Sequence, residues 1–147
     1  MSENLVKIAY LGIGSNLGDR RKNIEKTKVE IQSYKIQILK SSNNFETESW
    51  PDKKKPKFIN IVIKIKTNLS AIKLLKICNL IEKSMGRVRS KKNEPRICDI
   101  DILDYDKKTF SLKNIDLILP HPSLTKRNFV LLPLFEIDKT WKHPKSR

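Results

Sequence analysis

The apolar positions of this chain repeat with two different periods, and those periods lay out its secondary structure. Residues 5–13, LVKIAYLGI, make an apolar run of strand length, stopped by Gly14-Ser15-Asn16-Leu17-Gly18. From Asp19 the period lengthens: an acid opens the segment, and Ile24, Lys28 and Ile31 recur at helical spacing. Residues 34–45 alternate weakly and predict a second strand. The stretch SWPDKKKPK (49–57) is polar and punctuated by proline, which predicts a loop. FINIVIKIK (58–66) alternates plainly, with Ile59, Ile61, Ile63 and Ile65 on one face and Phe58, Asn60 and Val62 on the other. Ser70 can cap a helix whose stripe is Leu74, Leu75, Cys78, Ile81 and Met85, and Gly86 ends it. A loop rich in arginine and lysine runs to Arg96. After it come EPRICDIDILDYD (94–106), read as a strand, and a connection to LPHPSLTKRNFVLLPLFEI (119–137).

The order β-α-β-β-α-β predicts an α+β fold, a ferredoxin-like α/β sandwich with a mainly antiparallel sheet, rather than a doubly wound parallel sheet. With 147 residues, no repeat and no linker, a single domain over 1–147 is expected, large enough to bury a core. No segment is long and apolar enough to span a membrane. The start MSENLVKIAYLG lacks the features of a signal peptide, so a cytoplasmic protein is expected. Cys78 and Cys98 sit in apolar patterns without metal-ligand spacing, which predicts buried free thiols.

Charge changes this picture. The formal net charge is +15, yet Asp99, Asp101, Asp104 and Asp106 crowd into eight residues. Crowded carboxylates repel, and desolvating them is costly unless a cation compensates. Asp99 and Asp101, two apart on a strand, share a face with Cα atoms roughly 6.5–7 Å apart. Such a pair can hold one or two Mg²⁺ ions and leave positions for water and phosphate oxygens. Lysine is scattered along the chain, whereas Arg87, Arg89, Arg96 and Arg127 fall near or after the aspartates. Arginine grips phosphate bidentately, so carboxylates ringed by arginines predict a polyphosphate site. The bland alternatives are a solvated polar face and surface ion pairs.

Gly12, Gly14 and Gly18 follow a strand with GxGxxxG spacing, which is not the dinucleotide fingerprint, and no P-loop is present. Phe58 and Asn60 put an aromatic plane beside an amide that donates and accepts, which suits a flat heterocycle or, equally, a core Phe with an incidental Asn. His121 stands between Pro120 and Pro122 on stiff backbone, with Arg127 near in sequence.

Together these segments resemble the 6-hydroxymethyl-7,8-dihydropterin pyrophosphokinases of folate biosynthesis. The resemblance runs in order through YLGIGSNLGDR, FETES, FIN, EKSMGRVR and PRICDIDILDYD to LPHPSLTKRNFVLLPLFEI, nearly the whole chain. It implies transfer of the β,γ-pyrophosphoryl group of ATP, the co-substrate, to the pterin hydroxymethyl oxygen, with release of AMP and use of two Mg²⁺ ions. Asp99 and Asp101 are then the metal ligands, and Arg87 and Arg89 steady the transferring group. Arg96 is the arginine before the metal strand, His121 and Arg127 are nucleotide phosphate contacts, and Glu82 lies near the adenosine. Thr47, Phe58, Asn60 and Phe129 form the pterin pocket, with Phe58 and Phe129 sandwiching the ring. Asp104 and Asp106 have no counterpart and are expected to be solvated turn residues. The chain departs from the family at Asn93-Glu94, where many relatives carry Trp-Gly in a loop that closes over substrates, so weaker closure is expected.

The resemblance implies small-molecule partners, ATP and hydroxymethyl-dihydropterin, without nucleic acid or membrane, and a monomer or weak homodimer. The rival from another class is a nucleic-acid-binding α+β module, suggested by net charge; it has no use for Asp99 and Asp101, which repel phosphate. A third reading is a degenerate relative that binds ATP or pterin without turnover.

Overall fold

The computed structural model describes residues 5–49, 52–87, 94–112, 117–122 and 128–144. Ten elements follow in order: β1 (Lys7–Ser15), α1 (Arg20–Gln32), β2 (Gln37–Ser41), β3 (Phe45–Thr47), β4 (Phe58–Thr67), α2 (Ala71–Ser84), β5 (Asp99–Tyr105), β6 (Phe110–Leu112), β7 (Leu117–Leu119) and α3 (Asn128–Ile137). The main sheet runs β2-β4-β1-β5, with β3 also on β4, and every pairing in it is antiparallel. Because β1 and β2 both oppose β4, they are parallel to each other and joined through α1. In the same way β4 and β5 flank β1 and are joined through α2. This is the expected ferredoxin-like arrangement, an antiparallel sheet built from two split crossovers.

Local chemistry fixes the elements. Asp19 caps α1 by accepting from the Lys22 N–H at 3.2 Å, and Ser70 caps α2 through Lys73 N–H at 3.2 Å. Gly86 closes α2 at φ +95°, a left-handed turn that favours glycine. The α1 stripe differs from expectation: Thr27, not Lys28, faces inward with Ile24 and Ile31. Thr27 satisfies its hydroxyl on the Asn23 carbonyl at 2.7 Å, while Lys28 reaches out to Glu25. The strand expected over 34–45 is only Gln37–Ser41, and a second short strand, Phe45–Thr47, begins where that stretch ends. At the break the Ser42 N–H donates to the Val62 carbonyl, and Ser42 Oγ accepts from the Val62 N–H at 3.0 Å, so a side chain stands in for a ladder carbonyl.

The β4 isoleucines pack with Leu11, Ile13, Ile100 and Ile102 of the sheet against Ile24 and Ile31 of α1 and Leu74, Cys78 and Ile81 of α2. Full burial of one such side chain contributes about 1.5–3 kcal/mol. Cys78 and Cys98 are buried free thiols, as expected. Burial pushes the Cys98 thiol up to about 11 and raises Cys78 further, so neither is a thiolate at neutral pH. On the opposite sheet face Tyr10, Val62 and Leu103 are covered by Val130, Leu134 and Ile137 of α3 and by Trp141. No helix among the described residues is long and apolar enough to cross a membrane.

One expectation is corrected here. Asp104 is not a solvated turn residue: it is 1% exposed, and its Oδ2 accepts from Trp141 Nε1 at 2.9 Å. A register shift between Tyr10 and Leu11 lies opposite it, so the aspartate alternation breaks between Asp101 and Asp104. Asp106 does lie in a turn, at φ +53°.

Candidate functional site

The sheet face that carries α3 continues past it toward the C-terminal end of β1. Strand register places two rows of residues there: Gly14 stands between Asn60 and Asp99, and Gly12 between Val62 and Asp101. Cross-strand partners share a face, so Asn60, Gly14, Gly12, Asp99 and Asp101 all look out from one surface. Neighbouring strands lie about 4.8 Å apart, so the Asn60 side and the Asp99 side are separated by about 10 Å across Gly14. The two glycines are not equivalent. A Cβ on Gly14 would come 2.7 Å from Asn60 Oδ1 and 3.3 Å from Phe58 Cδ1, whereas one on Gly12 would meet Leu103 at an ordinary 3.6 Å. Gly14 is therefore required by the closeness of Asn60 and Phe58, a role the GxG pattern did not disclose.

On the β4 side, Asn60 Nδ2 donates to Thr47 Oγ1 at 2.8 Å, and Phe58 is the direct partner of Thr47 across β3. Thr47, Phe58 and Asn60 are thus brought together, all partly exposed. Phe45, the partner of Asn60 on the same face, adds an aromatic that sequence reasoning passed over. Its signal was its place two residues before Thr47 in an alternating strand. Phe129 lies in α3, and its side chain is outside the described residues.

On the β5 side, Arg87 Nη1 donates to Asp99 Oδ1 at 2.8 Å and to Glu82 Oε2 at 2.9 Å. Arg96 Nη1 donates to Asp99 Oδ2 at 3.0 Å, and its guanidinium lies 5.8 Å from the centre of the Phe58 ring. One arginine therefore touches both halves of the site. Glu82 is buried on the last turn of α2, and its Oε2 also accepts from the Ile100 N–H at 2.7 Å. His121 donates its backbone N–H to the Leu103 carbonyl at 2.9 Å, which sets it beside β5 two residues along from Asp101. Arg89, Arg127 and most of the loop expected to close over substrates lie outside the described residues.

Asn16 ties the halves together and was not singled out beforehand. It is 3% exposed, with Nδ2 donating to Ser49 Oγ and the Pro56 carbonyl, both at 3.1 Å. Its Oδ1 accepts from the Arg96 N–H at 2.8 Å, and its own N–H donates to the Arg96 carbonyl at 3.0 Å. A polar Gly-Ser-Asn run after a buried strand was its only sequence signal.

The donor set suits a hard divalent cation shared with a ligand. Asp99 and Asp101 are both half-buried on one strand face, and no group of three or more His, Cys, Asp or Glu side chains among the described residues could hold a metal. A pair of carboxylates on one strand face fits a hard divalent cation better than it fits a closed structural metal site, and Asp99 and Asp101 would be the residues to hold it. A carboxylate pair flanked by arginines thus stands about two strand spacings from an aromatic and amide cluster, an arrangement able to hold charged oxygens beside a flat ring.

A family model described as 7,8-dihydro-6-hydroxymethylpterin-pyrophosphokinase (HPPK) matches residues 10–139, and the chain belongs to this family. It is similar to the 2-amino-4-hydroxy-6-hydroxymethyldihydropteridine pyrophosphokinase of Aquifex aeolicus, with 38% identity over 92% of this chain and 82% of that protein. The Bacillus subtilis protein of the same name is 34% identical over 88% of this chain and 77% of its own length. The folic acid synthesis protein fol1 of Schizosaccharomyces pombe is 38% identical over 94% of this chain, but that match spans only 19% of the longer protein. Among solved structures, a Plasmodium falciparum HPPK-DHPS with pteroate superposes with a TM-score of 0.75 at 18% identity, over 97% of this chain and 39% of that one. At that identity the likeness speaks to fold alone.

Proposed function

We propose that this chain transfers the terminal diphosphate of ATP to the hydroxymethyl group of 6-hydroxymethyl-7,8-dihydropterin, giving AMP and the pterin diphosphate. One observation carries the reading: the Thr47–Phe58–Asn60 cluster and the Asp99–Arg87–Arg96 cluster stand on one sheet face, on either side of Gly14. Family membership supports it.

In this reading the pterin ring lies on Phe58, with its polar edge on Asn60 and Thr47, and Phe129 as the second face of the sandwich. The hydroxymethyl oxygen then points across Gly14 toward the carboxylates. It bonds to the β-phosphorus, the bond from that phosphorus to the α,β-bridging oxygen breaks, AMP leaves, and the hydroxyl proton passes to solvent. Two Mg²⁺ ions held by Asp99 and Asp101 supply neutralisation of the diphosphate oxygens when bound. Arg87, Arg89 and Arg96 hold the transferring group, and His121 and Arg127 hold the remaining phosphates. Asp99 pairs with Arg87 and Arg96, so its charge is compensated within the protein, and the same guanidinium groups would meet polyphosphate at that carboxylate. For Asp99, the compensating cation within the protein is arginine. We place the reaction in the cytoplasm, on one domain acting as a monomer or weak homodimer with no nucleic acid or membrane partner.

The test is chromatography of nucleotide products with ATP, Mg²⁺ and hydroxymethyl-dihydropterin. AMP formed in step with pterin diphosphate is expected. ADP as the stoichiometric product would mean an ordinary kinase, and no pterin-dependent consumption would mean a binding protein.

A further inference from the structure

We propose that Glu82 is a positioning residue of this site, its buried carboxylate fixing Arg87 against the aspartate pair and capping the edge of β5 between them. The inference rests on reading the Asp99–Asp101 strand as the diphosphate-transfer site, and it gives Glu82 a role other than contact with adenosine.

The Glu82 side chain is only 3% exposed, against 13% for Arg87 and 22% for Asp99. A carboxylate at that depth is costly unless paired and hydrogen-bonded, and both conditions are met on one oxygen. Oε2 accepts from Arg87 Nη1 at 2.9 Å and from the Ile100 N–H at 2.7 Å. Ile100 separates Asp99 from Asp101, and β5 is the outer strand of its sheet. Glu82 therefore takes a backbone donor that a further strand would otherwise satisfy, at the one residue that sets the spacing of the two carboxylates.

The same oxygen governs what Arg87 does when ligand arrives. Arg87 Nη1 is shared between Glu82 and Asp99. A divalent cation held by Asp99 would take up one of these acceptors. Glu82 cannot follow the metal, because its carboxylate is buried in the last turn of α2. Arg87 then keeps one fixed anion, so its guanidinium stays at the edge of the carboxylate pair and its remaining N–H groups face the polyphosphate. Pre-organisation of this kind acts on the transition state more than on ground-state binding of the pterin. Arg96, joined to Asp99 and to Phe58 rather than to a buried acid, has no such anchor in its side-chain contacts among the described residues.

A two-by-two cycle on the purified full chain tests this: wild type, Glu82→Gln, Arg87→Ala and the double variant. If Glu82 acts through Arg87, Glu82→Gln lowers kcat by about 10–100-fold with the pterin KM within about twofold, and adds less than about twofold in the Arg87→Ala background. Multiplicative losses in the double variant, or an unchanged kcat in Glu82→Gln, would overturn the proposal. Glu82→Asp keeps the charge, and its kcat should lie between wild type and Glu82→Gln; a value no better than Glu82→Gln would count against it. Should Glu82→Gln fail to fold, the Glu82→Asp cycle with Arg87→Ala carries the same non-additivity test. Calorimetry with Mg²⁺ and a non-hydrolysable ATP analogue reads the coupling without turnover. Glu82→Gln should weaken binding in the wild-type background and leave the Arg87→Ala background unchanged. Additive weakening there contradicts the role of Glu82, whereas absence of AMP from the wild type contradicts only the assigned reaction.

Discussion

Two ends of one sheet face, built on the same three strands, have opposite fates. At the end under α3, β1, β4 and β5 contribute Tyr10, Val62 and Leu103, each at most 6% exposed and covered by Val130, Leu134, Ile137 and Trp141. At the other end the same strands contribute Gly12, Gly14, Asn60, Asp99 and Asp101. The buried end also carries an acid, Asp104, whose Oδ2 accepts from Trp141 Nε1. The open end carries an acid, Asp99, joined to two part-exposed arginines, Arg87 and Arg96, of which Arg87 is also held by Glu82. Burial makes the first acid structural; charged, part-exposed partners leave the second accessible to the chemistry proposed for it. A stretch of four similar aspartates thus divides by what each one faces.

The sharpest way to break this contrast is at the aspartates. Asp101→Asn should lower turnover by about a thousandfold or more, since a hard anionic ligand is replaced by a neutral amide of similar size. Asp99→Asn should do the same in initial-rate assays. It should also lower the melting temperature, because two part-buried ion pairs go with the charge. Activity within tenfold of wild type in both would remove the assignment of the open end.

The glycine pair sharpens the comparison. Gly14→Ala must displace Asn60 or Phe58 and should raise the pterin KM by about tenfold or more. Gly12→Ala, with its Cβ at 3.6 Å from Leu103, should stay within about threefold of wild type. Equal effects at the two positions would mean that the row at Gly14 is not the pocket wall.

At the covered end the order of effects reverses. Leu134→Ala removes a fully buried side chain and should cost about 2–5 kcal/mol in denaturant unfolding, while kcat/KM in the folded fraction stays near wild type. A large catalytic loss with little loss of stability would couple the two ends in a way these contacts do not describe.

The smallest expected effect concerns pH. Burial of Asp138 raises its pKa, but hydrogen bonds from Tyr10 and Thr140 outweigh that and hold the carboxyl below its usual range. A depressed carboxylate contributes stability above its unfolded pKa and loses it as pH falls through the folded value. Asp138→Asn should therefore flatten the acid limb of stability below about pH 4 and leave its slope near neutrality unchanged. An unaltered acid limb would mean that Asp138 adds nothing to acid sensitivity.

Much of the fold is legible wherever periodicity is strong. The β4 isoleucines, the Ser70 cap and the Gly86 stop of α2 fall where the sequence places them. The helix α3 is not legible: Pro133 lies inside it, and NFVLLPLFEI is apolar almost all round, so no single face stands out. The break between β2 and β3 is where the Ser42 hydroxyl meets Val62, a contact across strands that no local pattern shows. In the site, the aspartate pair, Phe58 and Asn60 can be found from alternation and chemistry. Asn16 cannot, because its partners Ser49, Pro56 and Arg96 are distant along the chain and only the fold brings them near. Glu82 is marked by the family resemblance alone, and its bond to the Ile100 N–H by no local pattern. Asp104 reads like its neighbours until the register shift in β5 turns it to Trp141.

The most direct test of the two-ended face is a crystal structure of the chain with Mg²⁺, a non-hydrolysable ATP analogue and hydroxymethyl-dihydropterin. The expected result places the pterin on Phe58 and Asn60, with metal between Asp99, Asp101 and the phosphates. In it Arg87 remains on Glu82, and Arg96 has turned from Asp99 to the phosphates. Pterin or polyphosphate bound away from Gly14, with Asp99 still paired to both arginines, would contradict the account.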